Sequence, residues 1–482
     1  MSNLEFNLSM KFGIKILLFG CFVLTSNLFG LNKTETIDSS LEQTNAFVVK
    51  HTFLTPVSLK NPNLYMPVAW LNIESGSNGV PLSMINRFAF GGYISPSEMN
   101  DYQQLLSASG NRMGAIQNYG INIYPIIGIP VAKKLILENI TLEIDDISGA
   151  NFNQDAFRLI FQGNTNYLGQ TLNVGNNLVE SWRTRTLKFH FRKTFPKWEI
   201  IPTVQFGQCL NYTRLETQDV QLKSDAVGDE IDFSGNAFAA NSGYSFLGNG
   251  VGMQAGLIFS IKNIYQNQKN AFALSFGIKN FGFYNISDVN VISRNAVWNA
   301  DQTSISPNEW NQKDPFKLQA VQISSSDLQF GTWFNRQGDS IKSKLNFVES
   351  TRRGNVLAPF TLLARLNITN HTYVNALKRQ EVLLKYVNVV GYLPQLSYWA
   401  YLKQDFTTIK GNSWFVLNYM LGLSVGGFDD INFNIGFSSN QLKLRNQTII
   451  VNARFTGIEA YFNPSNWHGA GIQFELLYPL YQ

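Results

Sequence analysis

Ile431-Asn-Phe-Asn-Ile-Gly-Phe-Ser438 alternates without a fault. Ile431, Phe433, Ile435 and Phe437 share one face, and Asn432, Asn434, Gly436 and Ser438 share the other. Successive strand side chains point to opposite faces, so period two is a strand signal. The same reading works outward from this segment. In residues 414–425, Phe415, Leu417, Tyr419, Leu421, Leu423 and Val425 oppose Val416, Asn418, Met420, Gly422 and Ser424. In residues 359–368, Phe360, Leu362, Ala364, Leu366 and Ile368 oppose Thr361, Leu363, Arg365 and Asn367. In residues 271–282, Phe272, Leu274, Phe276 and Ile278 oppose Ala273, Ser275, Gly277 and Lys279. Leu187, Phe189 and Phe191 oppose Thr186, Lys188 and His190, and Val451, Ala453 and Phe455 oppose Asn452 and Arg454. Residues 135–144, 198–207, 251–262 and 381–390 are further candidates.

These segments run to about 8–12 residues, longer than the five or six usual in soluble strands. Crossing a bilayer takes about 9–11 tilted residues. The second face is small and polar with an occasional cation, which suits the lumen of a membrane barrel. Lys188, His190, Lys279, Arg365, Asn418 and Arg454 are therefore expected to face that lumen. The final segment alternates too, with Ile472, Phe474, Leu476 and Tyr478 on one face, as a closing strand would. Trp198, Trp399, Trp414 and Tyr478 are expected at the membrane interfaces. Residues 193–197 and 426–430 read as tight turns, and residues 263–270 as a slightly longer one. Residues 208–250, 285–315 and 335–355 read as long loops. Short turns at one end and long loops at the other are expected of an outer-membrane barrel.

Composition agrees. The 482 residues are 44% hydrophobic, 13% aromatic and only 15% charged. Globular chains average about 25% charged residues. Disorder needs low hydrophobicity and high net charge. A net charge of +5 over this length is no nucleic-acid footprint. Mean hydropathy is -0.09, against a bundle of spans with about 20 apolar residues each.

Lys11 and Lys15 precede the apolar run from Ile16 to Leu24, and polar residues follow. That is the pattern of an export signal, placed at residues 1–30. Leu18-Phe-Gly-Cys21 approximates a lipoprotein box, leaving lipidation of Cys21 as an alternative. Residues 31–115 are read as an N-terminal segment, a plug or the first strands, and residues 116–482 as the barrel. Ser95-Pro-Ser-Glu98 is a capping box, with Met99, Tyr102, Leu105 and Leu106 at helical spacing behind it. A second short helix starts near Asn153 and stops at Gly163.

The sequence offers no catalytic or metal residues and no cofactor. His51, His190, His371 and His468 lack metal-ligand spacing. There is no phosphate loop and no nucleophile elbow. Gly248-Asn-Gly-Val-Gly252 leads into a strand pattern rather than a helix. Asp145-Asp146, Asp229-Glu230 and Asp429-Asp430 are adjacent carboxylates, expected to diverge on strands or to be solvated in loops. Cys209 reads as a small strand residue. No enzyme is expected.

Several stretches carry a family resemblance. Residues 119–142 form a strand pair after a helix. Asn153-Gln-Asp-Ala-Phe-Arg-Leu-Ile-Phe-Gln-Gly163-Asn164 is a short helix ending in Gly-Asn. Residues 182–207 form a hairpin, Leu247-Gly-Asn-Gly-Val-Gly-Met-Gln-Ala-Gly256 is a glycine-rich strand entry, and Lys279-Asn-Phe-Gly-Phe283 ends the next strand. Together they resemble a family of uncharacterised outer-membrane barrels from Bacteroidota, similar in architecture to the long-chain fatty-acid transporters (FadL-like barrels). Where that family has an acidic residue before its closing Leu-Gly or Phe-Gly, this chain has Asn280. The resemblance implies a bacterial outer-membrane location and a channel for hydrophobic small molecules. The long loops leave a structural or partner-binding barrel, in surface display or protein secretion, as the alternative. The fold expected is all-β: a closed antiparallel transmembrane β-barrel of about 14 strands, with short helices in an N-terminal or plug segment. Its partners would be the lipid bilayer, hydrophobic small molecules or a protein, and no nucleic acid.

Overall fold

The computed structural model describes residues 65–84, 95–108, 110–132, 135–162, 167–224, 226, 231–266, 270–293, 314–316, 348–370, 377–404, 417–439, 442–444, 447–462 and 468–479. The export segment, Cys21 and Trp414 lie outside the described residues.

Strands dominate, and 14 of them close into an antiparallel barrel. In chain order they are β1 (Tyr65–Ser77), β2 (Asn111–Ala132), β3 (Leu135–Phe152), β4 (Asn177–Thr194), β5 (Trp198–Ser224), β6 (Gly250–Gln266) and β7 (Asn270–Ser293). Then follow β8 (Thr361–Asn370), β9 (Leu377–Val387), β10 (Leu393–Gln404), β11 (Leu417–Gly427), β12 (Ile431–Ser439), β13 (Gln447–Thr456) and β14 (Gly469–Pro479). Each pairs with the next, and β14 returns to β1 with Ile472 opposite Ile73 and Phe474 opposite Leu71. Closure removes the sheet edge, which a bilayer would not tolerate.

The two faces obey the alternation. On β4, Trp182, Thr184, Thr186 and Lys188 are buried inward, and Leu187 and Phe189 share the outer face. Outside, Phe206, Phe276, Leu421 and Phe433 are about half exposed although the inner face holds Glu143, Lys188, Arg365, Glu381 and Arg454 in full burial. A soluble protein has the opposite arrangement, with apolar groups inside. The exterior must therefore meet lipid. On β5 the outward positions run from Trp198 through Ile200, Pro202, Val204 and Phe206 to Gln208. The ten steps between them at about 3.3 Å each, tilted by about 40°, give roughly 25 Å, the height of an outer-membrane apolar band. Trp198 stacks on Phe195 at 3.6 Å between ring centroids, marking one border of that band.

The wall is not level. β5 has 27 residues and β7 has 24, so both run well past the band. The strand Ile231–Asn241 pairs with the outer half of β5, and Val348–Leu357 pairs with the outer half of β7. These stretches belong to the sheet, so the loops expected over residues 208–250, 285–315 and 335–355 are much shorter where described. The two tight turns also lie at opposite ends. Residues 195–197 sit with Tyr65 and Pro479 at the near end, and residues 428–430 sit with Ser77 and Asn111 at the far end.

Helix α1 (Pro96–Leu105) has the capping box in place: Ser95 Oγ accepts from Glu98 N, and Glu98 Oε2 accepts from Ser95 N. Helix α2 (Gln154–Gln162) follows β3. Met99, Tyr102 and Leu106 pack with Val80, Met84 and Phe157, so both helices sit at the far end.

Candidate functional site

Two short turns shut the lumen at the far end. Residues 388–392 join β9 to β10, and residues 428–430 join β11 to β12. Both fold inward. Val389, Tyr392 and Phe428 pack with Ile116 of β2, Ile147 of β3 and Val387 of β9 into one buried apolar cluster. The opposite wall makes room by lacking side chains. A Cβ at Gly114 would lie 2.1 Å from the Phe428 ring, and one at Gly149 would lie 1.9 Å from the Val390 carbonyl oxygen. Tyr392 meets Phe428 edge-on at 5.1 Å. Arg112 ties down the second turn through Asp430 Oδ1 at 2.6 Å and Asp429 O at 3.2 Å. Asp429 was expected to be solvated. It is buried and accepts a short hydrogen bond from Asn432 Nδ2. Burial, aided by the charge on Glu74, pushes its carboxyl up to about 7.

A polar chamber of about 100 Å³ lies within the barrel at membrane depth. Lys188, His190 and Lys279 line it together. Lys188 Nζ lies 2.5 Å from Glu143 Oε1 and donates to Asn280 Oδ1 at 3.2 Å. Gln205 donates to the same Asn280 oxygen at 3.0 Å. Asn118 bridges Trp70 Nε1 and Asp145 Oδ1. Thr141 and Thr203 flank His190, each at 3.2 Å from a ring nitrogen. Asp145 faces inward and Asp146 pairs outward with Arg183, so the adjacent carboxylates diverge.

Lys279 and Asn280 both reach this chamber because of a β-bulge. Ala255 pairs with Phe281 and Leu257 with Ile278, leaving Gly256 opposite two residues of β7. Asn280 takes φ 60, the left-handed conformation that asparagine tolerates. Across β7 the pairing also breaks, between Leu357 and Thr361. Pro359 sits in that break and has no N–H to offer. The chamber reaches the wall here, with Leu257, Ile278 and Pro359 in its lining.

A second chamber, about 90 Å³, includes Glu74, Lys385, Trp399 and Arg454 in its lining. Lys385 Nζ lies 2.8 Å from Glu74 Oε2 and borders both chambers. Arg454 lies over the Trp399 ring at 4.9 Å and donates to Tyr401 Oη at 2.8 Å. Tyr401 donates to Glu381 Oε2 at 2.8 Å, and Arg365 reaches the same oxygen at 2.5 Å. Trp399 therefore lies inside the barrel, not at an interface: it shares the inner face of β10 with Tyr401 and Ser397. The side chains of Asn418 and Tyr478 lie outside the described residues. Glu74, Glu143, Glu381 and Tyr401 went unnoticed in the sequence. The available signal was parity, since each falls on the same strand face as a buried polar neighbour.

A buried charge is costly unless paired. Here cations and carboxylates alternate across the lumen, which lowers its net field. Such a chamber can hold an uncharged or amphipathic molecule, with polar contacts from amides and apolar contacts from Trp70, Ile116, Ile147 and Ile258.

No family model matches the chain, and no curated protein does. Among solved structures, it is similar to the translocator domain of autotransporter NalP from Neisseria meningitidis at 8% identity, covering 87% of this chain and 90% of that one, with a TM-score of 0.29. It is also similar to the Pseudomonas putida toluene transporter TodX at 7% identity, with the same coverages and a TM-score of 0.34. A third is the ferric-catecholate import receptor Fiu from E. coli K12, at 9% identity over 85% of this chain and 71% of that one, with a TM-score of 0.21. At such scores the likeness adds nothing to the geometry described above.

Proposed function

We propose that this barrel resides in a bacterial outer membrane and admits hydrophobic or amphipathic small molecules to a capped lumen. One observation carries the reading. The chamber at membrane depth is shut toward the far end by the Phe428–Tyr392 cluster and meets the wall where strand pairing fails, at Asn280 and Pro359. An apolar molecule dissolved in the bilayer finds there a polar-floored space with apolar walls. The test is uptake into proteoliposomes, followed by native mass spectrometry of the protein. Transfer of fatty acids or detergents above that of empty vesicles, with bound lipid on the purified barrel, is the expected result. The absence of both transfer and bound lipid would overturn the proposal.

A structural or partner-binding role is the second reading. It is favoured by the extension of β5 and β7 beyond the apolar band, which offers sheet surface outside the membrane. A stoichiometric partner co-purifying from native membranes would support it.

A further inference from the structure

Between Ile231–Asn241 and β6, the chain leaves the sheet for eight residues, 242–249, while the pairing on β5 skips only residues 210–212. This excursion is firmly built. Ser242 N donates to Tyr212 O, Ser245 N to Leu210 O and Asn249 N to Cys209 O. The Asn249 amide also reaches Gly243 O at 2.7 Å. The excursion lies against the outer face of the barrel. Gly248 sits above the Gln208 side chain, the Tyr244 ring covers the Arg183 guanidinium at 5.6 Å, and the Phe246 ring covers Arg185 at 5.2 Å. Arg183 and Arg185 share the face of Leu187 and Phe189, so they are outward positions. Arg185 is opposite Gln208, one outward step past Phe206 on the apolar band.

The chemistry at this height is mixed. Phe246 is 68% exposed and Leu247 80%, more than the lipid-facing Phe206 at 52%. Val251 and Met253 continue the same apolar surface on β6. Arg183 is paired with Asp146 at 3.4 Å. Arg185 donates to two neutral oxygens, Gln208 Oε1 and Phe246 O, and among the described residues no carboxylate pairs with it. A hydrogen-bonded aromatic loop with a cation beneath it, at the rim of an apolar band, matches the boundary between hydrocarbon and headgroups.

We propose that this excursion is a lipid-headgroup seat: Phe246 and Leu247 enter the edge of the hydrocarbon, and Arg185 binds the phosphate of an anionic lipid. The inference is independent of what the lumen carries. It rests only on the barrel's lying in a bilayer, and one control below tests that premise separately.

The test uses the full chain in lipid nanodiscs, with Cys21 and Cys209 replaced by serine and a nitroxide at Leu247→Cys. Phe433→Cys is the lipid control and Asp219→Cys the aqueous one. Power saturation should place the Leu247 label between the two controls, with oxygen access exceeding that of a nickel chelate. A Leu247 label as chelate-accessible as the Asp219 label overturns the seat. A Phe433 label that behaves as aqueous removes the bilayer premise instead, and the seat with it. In a second arm, native mass spectrometry compares retention of phosphatidylglycerol and phosphatidylcholine. The wild-type chain should prefer phosphatidylglycerol. Arg185→Gln should cut that preference by about tenfold, as expected for one lost charge-assisted hydrogen bond. Arg185→Lys should keep most of it, which guards against misfolding of the Gln variant. An undiminished preference in Arg185→Gln, or equal occupancy of the site by inorganic phosphate alone, overturns the proposal.

Discussion

Removing the Phe428 ring should open the far end of the barrel. The ring is fully buried, lies against the bare backbone of Gly114 and meets Tyr392 edge-on. Truncating a buried phenylalanine to alanine costs about 3–5 kcal/mol, in lost burial plus the cavity left behind. The remaining anchors of the turn are weaker. The Arg112–Asp430 bridge has an exposed carboxylate and is worth about 0–1 kcal/mol. The ring therefore supplies most of the hold. A loss of about 3–4 kcal/mol shifts the ratio of closed to open turn by two to three orders of magnitude, at about 1.4 kcal/mol per tenfold. Phe428→Ala should accordingly raise single-channel conductance in planar bilayers, with bursts whose frequency reports opening of the turn. Gly114→Leu should act the same way by evicting the ring. Both variants must still migrate as folded barrels before boiling. Conductance in both equal to that of the wild-type chain would refute the assignment of residues 428–430 as the cap.

Other outcomes follow from the same geometry. Lys188→Met strands the buried Glu143 carboxylate and should cost about 3–5 kcal/mol, read as a lower urea midpoint in lipid vesicles, whereas Lys188→Met with Glu143→Leu should recover most of it. Asp429 keeps its proton in the folded turn up to about pH 7, while the same group in an unfolded chain releases it near pH 3.8. The folded form thus binds the extra proton between those values, so hold on the turn falls as pH rises through that window and levels off above it. Channel opening should increase from pH 5 to pH 8, and Asp429→Asn should abolish the trend. Leu421→Arg puts a cation on the lipid face and should cost about 2–4 kcal/mol in refolding yield or midpoint if it lies near the midplane, whereas Leu421→Phe should be neutral.

Much of the barrel is legible in the sequence because its physics is periodic. A strand with lipid outside and a packed lumen inside must alternate, and residues 431–438 do so as plainly in the chain as in β12. The capping box at Ser95 is equally local, and the helix begins there. What escaped notice was non-local. The pairing of Arg365 with Glu381 depends on β8 and β9 being neighbours in a particular register, and nothing in either strand alone specifies it. Trp399 looked like an interfacial anchor by residue type, but its parity with Ser397 and Tyr401 sends it inward. Residues 426–430 read as a turn from their glycines and aspartates alone. Their role as a cap is not legible there, because it depends on Gly114, more than three hundred residues away in the chain. Composition also misled for residues 208–250, where polar side chains suggested a loop. Beyond the apolar band the outer face meets water, so β5 can continue with Asn211, Thr213 and Thr217 on that face and remain a strand.

The cap and the bulge make competing claims on the same chamber, and they can be separated. If traffic runs along the barrel axis, Phe428→Ala should speed hydrophobic and polar solutes together. If apolar molecules arrive sideways past Asn280 and Pro359, opening the cap should raise polar conductance alone and leave fatty-acid transfer unchanged. The complementary change lies at Gly256, opposite the bulge. A Cβ there would sit 3.2 Å from the Ile278 carbonyl oxygen and 3.5 Å from Thr203 Cβ, close but tolerable with a small shift. The rest of a leucine would have to occupy the chamber, whose volume is about 100 Å³, and would fill most of its wall end. Gly256→Leu should therefore depress fatty-acid transfer severalfold while sparing the extra conductance of Phe428→Ala in the double variant. Equal loss of both fluxes would mean that the chamber is a segment of one axial pore. Loss of neither would mean that the chamber carries no traffic, which would favour the partner-binding reading of the barrel.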